Sequence, residues 1–507
     1  MKKYFLVLLP TLSLLANDIS NEDLINKLIK EVQYLRDEVQ SLKKNQEISI
    51  KQLEYKTSLN KEIEIATLKR ELKSLKEKQV INSEQIEEVA DYGESIEIAT
   101  IKDKIEFGIG LKVSLDNFKK KYADGTKAKN SNIWSNKLML NMKANIAENM
   151  NFYGRLSMYK YWGSSNIHQY SYYDNMQGRA PSDSGLYVER AYINWFFNKT
   201  GYFPMALTIG RQPSSDGPSN NIKESTSRKG TYSALLYDGA ADGIVFTTNI
   251  SKLINNPKSY LRIGYSKGFG NSEISGDTGN TFVGASNNDL EDTNVFGIFI
   301  DTTIPNMNDT LVQISYSKMI DIVANQLDTN SSQNKNIGNA EIIGAMIELK
   351  DIKNTNLDFF IHYGHSIAHP NSNNYINYGG LLSRAGDTST KFGDSIWLGT
   401  SYSFGSKQKY KLGFEYNYGS KNWINLTQGS FDVYNKLATR GNAYELYAMY
   451  IINRFSNLRL GYINIDYDYT GSGWFVGESI KIEKGMVNEN EIISNLQSIY
   501  LKMNVNF

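Results

Sequence analysis

The chain contains no cysteine. That excludes disulfide frameworks, thiolate zinc sites and thiol nucleophiles. Proline is scarce, with 8 residues in 507, which suits long strands. A net charge of either sign is also missing: 55 basic residues stand against 54 acidic ones. No electrostatic argument for a nucleic-acid partner follows from that balance. After the N-terminus no window holds the run of about twenty apolar residues that a spanning helix requires. We find no phosphate-binding Gly loop of the GxGxxG or P-loop kind in a strand–loop–helix context. What is abundant instead is tyrosine, 34 residues, and glycine, 39 residues, a composition suited to long strands with aromatic belts.

The first residues read as a secretory signal. Lys2 and Lys3 give a basic start, Tyr4 to Leu15 an apolar core, and Ala16 a small residue for cleavage, with Leu14 a poor second small position. From Asn21 to Ala90 there is neither Pro nor Gly. There Ile25, Leu28, Val32, Leu35, Val39 and Leu42 step by three and four, a coiled-coil seam. A second seam, Ile65, Leu68, Leu72, Leu75, Gln79, Asn82, Ile86 and Val89, is out of phase with the first, which places a slip near Thr57 to Lys61. A single amphipathic helix folded back on the rest of the chain is the simpler alternative. The organisation expected is a signal peptide at residues 1–16, a periplasmic coiled coil at 17–92, a linker at 93–104 and a β-barrel at 105–507.

From Ile105 the period changes to two. The last strand shows it most clearly: Ile499, Leu501, Met503, Val505 and Phe507 fall on one face, and Ser498, Tyr500, Lys502, Asn504 and Asn506 on the other. About sixteen such segments follow one another. Tight turns such as Glu148-Asn149, Gly405 to Lys407 and Arg454-Phe455 alternate with polar connections, most about twenty residues or longer; the first of these is expected at 116–132. Short turns at one end and long loops at the other are the asymmetry of an all-β outer-membrane barrel of antiparallel strands, and so much loop is unusual for a soluble domain.

The segment GRQPSSDGP at Gly210–Pro218, the stretch RKGTYSALLYD at Arg228–Asp238, the N-terminal helical repeat and the terminal Phe507 together resemble an outer-membrane porin family of Gram-negative bacteria whose function is unassigned. The resemblance implies an outer-membrane location, and an even strand count leaves both barrel ends in the periplasm. It implies partners there: lipid and lipopolysaccharide, the barrel assembly machinery, a homotrimer, and peptidoglycan within reach of the coiled coil. It also makes Phe507 an assembly signal.

Charge on a lipid face costs about 2–4 kcal/mol at mid-membrane. Lys137, Lys143, Arg155, Arg190, Arg262, Lys411, Glu415, Arg459 and Lys502 are therefore expected to face the lumen, with Glu341, Glu348, Asp358 and Glu445 beside them. A polar lumen in so wide a barrel should hold water. Trp162, Trp195, Trp397, Trp423 and Trp474 are candidates for interfacial girdles, or for loop packing. The connection from Arg211 to about Gly239 matches, by the resemblance, the loop that sets the constriction in sixteen-stranded porins. Its charges, Arg211, Lys223, Arg228 and Lys229 against Asp216 and Glu224, form the candidate pore constriction; a solvated external loop is the alternative.

Other clusters carry less. Glu273, Asp277, Asp289, Glu291 and Asp292 fit no defined calcium loop. His362, His365 and His369 have zinc-like spacing only on a helix; on a strand the odd step puts His362 and His365 on opposite faces. No Ser–His–acid spacing is visible, so no enzyme, metal or cofactor is expected. The expected function is a porin passing small hydrophilic solutes or ions through a water-filled barrel narrowed by the third long loop. A tether between outer membrane and cell wall, or a surface adhesin, are the rival readings.

Overall fold

A computed structural model describes residues 29–34, 36–41, 43–44, 105–163, 186–212, 216–228, 230–239, 241–307 except 270–292, 310–324, 335–372, 379–426, 434–486 and 492–507. The chain divides into two units, 1–83 and 84–507. In the first, the described residues are helical, with Ile29, Val32 and Val39 exposed. Most of the expected signal peptide, coiled coil and linker lies outside the described residues, as do the second helical seam and the acidic stretch from Glu273 to Asp292. No described helix is long and apolar enough to cross a membrane.

The second unit is a closed barrel of sixteen strands, each antiparallel to the next. These are β1 (Ile105–Tyr122), β2 (Lys127–Ala147), β3 (Met150–Tyr161), β4 (Tyr187–Asn198), β5 (Met205–Gln212), β6 (Ala241–Asn249), β7 (Tyr260–Phe269) and β8 (Thr293–Thr302). The circuit continues with β9 (Thr310–Ala324), β10 (Lys335–Leu349), β11 (Leu357–Pro370), β12 (Lys391–Phe404), β13 (Tyr410–Gly419), β14 (Gly441–Asn453), β15 (Ser456–Tyr467) and β16 (Ile493–Asn506). Closure is made by β1 with β16, in register from Gly110↔Asn506 onward. Past that ladder Ile109 N–H donates to the Phe507 carbonyl at 2.7 Å, and Phe507 N–H returns to Ile109 at 2.9 Å.

Period-two alternation decides which side of each strand faces inward. On β13, Tyr410, Leu412 and Phe414 are exposed on the outside, while Lys411, Gly413 and Glu415 are buried within. The same split puts Ile263, Phe296, Leu446, Leu460, Ile499 and Leu501 on the outer surface. Tyr410 to Tyr418 spans eight residue steps, about 27 Å of strand at ~3.4 Å per residue. A tilt near 40° reduces that to an apolar belt about 20 Å tall, close to the height of a membrane-barrel band. A row of polar pairs stands at the edge nearer the long connections: Arg211–Asp242 at 3.2 Å, Lys318–Glu341 at 3.4 Å and His365–Asp394 at 2.8 Å.

Three expectations change. The first connection is a tight hairpin: β1 continues to Tyr122, and Asp124 accepts from the Thr126 N–H at 2.8 Å and hydroxyl at 2.6 Å around Gly125, whose φ is +93°. Its flanks, Asp116–Lys121 and Lys127–Asn132, rise beyond the apolar belt. The outward positions of β1 there, Asn117, Lys119 and Lys121, are polar rather than apolar, which erased the alternation. Glu341 points outward, where Lys318 and the Tyr316 hydroxyl, at 3.0 Å, hold it. It cannot share the inner face with Glu348, since seven residues separate them on one strand. Trp397 and Trp423 are buried inside rather than in a girdle, whereas Trp162, Trp195 and Trp474 are exposed.

Candidate functional site

The connection between β5 and β6 enters the barrel. Lys223, in its short helix Asn220–Glu224, reaches Glu445 on β14 at 2.9 Å and Glu415 on β13 at 3.6 Å. β14 is eight strands from β6 by either route round a ring of sixteen. A contact between them can be made only across the interior. Glu224 meets Lys112 on β1 at 3.1 Å and Arg459 on β15 at 3.6 Å. Lys411 Nζ donates to the Ile222 carbonyl at 3.0 Å.

The returning arm is fixed on the opposite flank. Arg228 meets Asp301 on β8 at 3.1 Å, and Gln313 on β9 donates to the Thr231 carbonyl at 2.8 Å while accepting from Ser233 N–H at 3.2 Å. Both arms meet at His362 on β11. Ser219 Oγ lies 2.8 Å from its Nε2 and Ser233 Oγ 2.6 Å from its Nδ1. A neutral imidazole has one donor and one acceptor nitrogen, so one serine donates to it and the other accepts. Ala234, Leu235 and Leu236 then bury themselves in the main apolar cluster with Phe360, Trp397 and Trp423.

A second inward segment, between β13 and β14, docks beside the first. Asp238 N–H donates to the Leu426 carbonyl at 2.8 Å, and Leu426 N–H to the Leu236 carbonyl at 2.9 Å. Lys436 bonds to both Glu415 and Glu445, the same two carboxylates that Lys223 uses. Tyr500 donates to Glu445 at 2.5 Å and Trp397 Nε1 to Glu415 at 3.1 Å. Two loops thus share one anionic hub on the wall.

The wall makes room for them. Gly344 and Gly364 face each other on β10 and β11. A Cβ on Gly344 would lie 2.2 Å from Leu236 Cδ1, and one on Gly364 would lie 2.4 Å from Trp423 Cη2. The missing side chains form the notch that receives both loops. Because the natural chain has no cysteine, a single Leu236→Cys can be followed cleanly. Gly364→Val should raise its labelling rate by a thiol reagent severalfold, by lifting Leu236 and Trp423 off the wall.

The residues singled out in the sequence fall as follows. Asp216 is buried near the loop's base, where its N–H donates to Asp238 at 3.2 Å. Lys229 lies outside the described residues. Arg211 does not belong to the interior: it is on the outer face of β5, paired with Asp242. Its parity with the exposed Ile209 dictates that orientation.

On the wall, Lys137 pairs with Glu189 at 2.6 Å, and Arg155 with Glu189 at 3.5 Å and Asn141 at 2.6 Å. Arg262 pairs with Asp301 at 2.6 Å, and Lys411 with Asp358 at 3.5 Å. Arg190 and Glu348 are buried. Lys143 sits 3.5 Å from Glu106 at the tight-turn end, and Lys502 lies over the Tyr500 ring at 4.6 Å.

Most of these charges do not face open water. The side chains of Lys137, Glu189, Arg262, Asp301, Glu415 and Glu445 are 1–2% exposed. The expectation of a water-lined wall is revised at these positions, because inward segments and ion pairs cover them. Sequence reading missed Glu189, Asp301, Lys112 and Lys436. Asp301 carried a usable signal, being the polar inner residue of an alternating strand. Glu189 did not, since it occupies a register shift between β3 and β4. Among the described residues no group of three or more His, Asp or Glu is placed to hold a metal ion.

Three solved structures are similar to the chain over about 80% of its length. The high-pH structure of Pseudomonas putida OprB has a TM-score of 0.48 at 12% identity, covering 80% of this chain and 95% of that one. The in-vitro folded OmpT, an outer membrane protein of Vibrio cholerae, gives 0.42 at 11%, covering 81% and 100%. Salmonella typhi OmpF in complex with daunomycin gives 0.43 at 11%, covering 80% and 99%. No curated protein matches the chain. The family described as protein of unknown function DUF3373 matches residues 127–507, all but the first strand of the barrel and the segment before it, and the chain belongs to that family.

Proposed function

We propose that the barrel is an outer-membrane channel through which small hydrophilic solutes diffuse, and that the β5–β6 connection is its constriction. The observation that supports this most directly is the reach of Lys223 across the interior to Glu445. A loop fixed at β8, β11, β14 and β1 narrows the lumen without leaving a flap free to swing. Lys223, Glu224, Arg228 and Asp216 belong to the constriction on this reading, and Lys229 is proposed with them. The outward apolar belt gives the lipid-facing surface, and the long connections face the cell exterior.

Replacing Ser219–Ser233 by a short Gly-Ser linker should raise single-channel conductance severalfold in planar bilayers. Heat-modifiable gel migration checks that the barrel still closes. Unchanged conductance would reject the constriction. The burial of the inner-face charges favours a second reading, a closed barrel that serves as a structural tether. There the intact protein stays silent in bilayers and binds cell-wall material instead.

A further inference from the structure

The hairpin that joins β1 to β2 carries four lysines on one face. Lys119 stands directly opposite Lys129, and Lys121 opposite Lys127. The face is the outer one: Lys119 and Lys121 share the parity of Asn117, which pairs with the exposed Ile499 on β16. Phe118, of the other parity, turns inward onto the Tyr434 ring. All four lysines are exposed, and none of their ammonium groups has a hydrogen-bond or ion-pair partner among the described residues. The two acids of the hairpin are engaged elsewhere. Asp116 is buried with the Ser114 hydroxyl, and Asp124 accepts from Thr126 in the turn. Like charges directly across a ladder destabilise the pairing. An anion supplied from outside the chain relieves both opposed pairs.

The height of the patch identifies that anion. Ile499 is the uppermost exposed apolar residue of β16. Gln497, opposite Lys119, and Asn495, opposite Lys121, lie two and four residues beyond it, about 7 and 14 Å of strand at ~3.4 Å per residue. A tilt near 40° places the lysines about 5–11 Å above the apolar belt, within the headgroup layer. Trp134, on the same outer face opposite Leu115, stacks on Trp162 with ring centroids 4.8 Å apart, the aromatic mark of the membrane interface. A soluble anion would not require the patch to sit against the lipid-facing belt. We infer that these four lysines form a binding site for the phosphates of an outer-leaflet glycolipid, each opposed pair holding one phosphate between two ammonium groups. This rests on the outer-membrane placement above, with the long connections facing the cell exterior, and not on whether the barrel conducts.

The test is a native mass-spectrometry titration of the full chain in detergent micelles with bisphosphorylated lipid A, against its dephosphorylated form. The parent should retain the phosphorylated lipid. The combined variant Lys119→Gln, Lys121→Gln, Lys127→Gln and Lys129→Gln should retain it at least about tenfold more weakly, with no change toward the dephosphorylated form. Heat-modifiable migration checks that the variant barrel closes. A control at the tight-turn end, Lys252→Gln with Lys353→Gln and Lys407→Gln, all exposed in the parent, should bind as the parent does. Equal retention by parent and fourfold variant overturns the inference, as does an equal loss in the control or displacement of the lipid by the same concentration of inorganic phosphate. So does a parent that retains no phosphorylated lipid; the lysines are then neutralised from within the chain, with Glu489 and Glu491, outside the described residues, the acids that precede β16. Placement is read separately. Thr126→Cys, at the exposed hairpin tip of a chain without native cysteine, should be labelled on intact cells by a membrane-impermeant thiol reagent. Labelling only in broken cells removes the exterior placement and the inference with it, whereas lost lysine dependence with surface labelling intact overturns the lysine site alone.

Discussion

Asp301→Ala should cost the barrel about 3–5 kcal/mol, the usual penalty for stripping one partner from a buried ion pair. Asp301 accepts from Arg262 at 2.6 Å, Arg228 at 3.1 Å and Gln313 at 2.6 Å. Without the carboxylate two guanidinium groups lie close together in an interior that cannot solvate them. Arg262 has little room to reach water, since its side chain is 2% exposed. The measurement is the urea midpoint of unfolding in detergent or lipid, followed by loss of β-sheet circular dichroism. Arg262→Met combined with Asp301→Leu should lose less than the two single changes added together, because the buried charge and its partner leave together. Additive losses would show that the pair is not coupled. Asp301 also anchors the returning arm of the crossing loop through Arg228. The single variant should therefore show noisier and larger conductance steps than the parent at the same salt.

Arg440→Met should loosen the long-connection end while leaving the strand ladder intact. Arg440 is buried, and among the described residues its hydrogen-bond partners are carbonyls and a hydroxyl, not a carboxylate. Nε donates to the Trp423 carbonyl at 3.2 Å, Nη1 to Thr470 at 3.1 Å and to the Ser479 hydroxyl, and Nη2 to Trp474 at 2.7 Å. One guanidinium joins the β13–β14 connection to the β15–β16 connection. Its loss leaves several buried oxygens without a donor, each costing about 1–3 kcal/mol. Lysine does not replace it, because an ammonium lacks the planar fork that meets these acceptors together. Trypsin should cut at the exposed Lys481 and Lys484 many times faster in the variant. An unchanged cleavage rate would show that the two connections hold together without Arg440.

The barrel was legible because its two solvents differ. Lipid outside and polar contacts inside impose opposite chemistry on neighbouring residues, and period-two alternation records it strand after strand. The record fails wherever one of those environments is absent. Above the apolar belt, Asn117, Lys119 and Lys121 make the outward face of β1 polar, so the strand was read as loop. Inside, the alternation marked most of the charges that turn inward, Glu341 excepted, but not what they meet. Lys137 and Glu189 are 52 residues apart, and Lys223 and Glu445 are 222 apart; no local spacing encodes either pair. The crossing loop carried a partial signal, with Gln212-Pro213 and Gly217-Pro218 marking a constrained path. Its docking notch did not, because Gly344 and Gly364 look like ordinary strand glycines until β10 and β11 are set side by side. Arg211 was misassigned for a simpler reason. It belongs to the strand that precedes the loop, and its parity with Ile209 outranks its nearness to the loop.

The seam between β1 and β16 has a kinetic consequence. The two edges that meet there are almost the whole second unit apart along the chain, so they are the last to be brought together during synthesis. Until Ile493–Asn506 is made, Ile105–Tyr122 carries an unpaired ladder of amide and carbonyl groups, a surface that recruits any other strand it meets. Nascent copies must therefore be kept from one another.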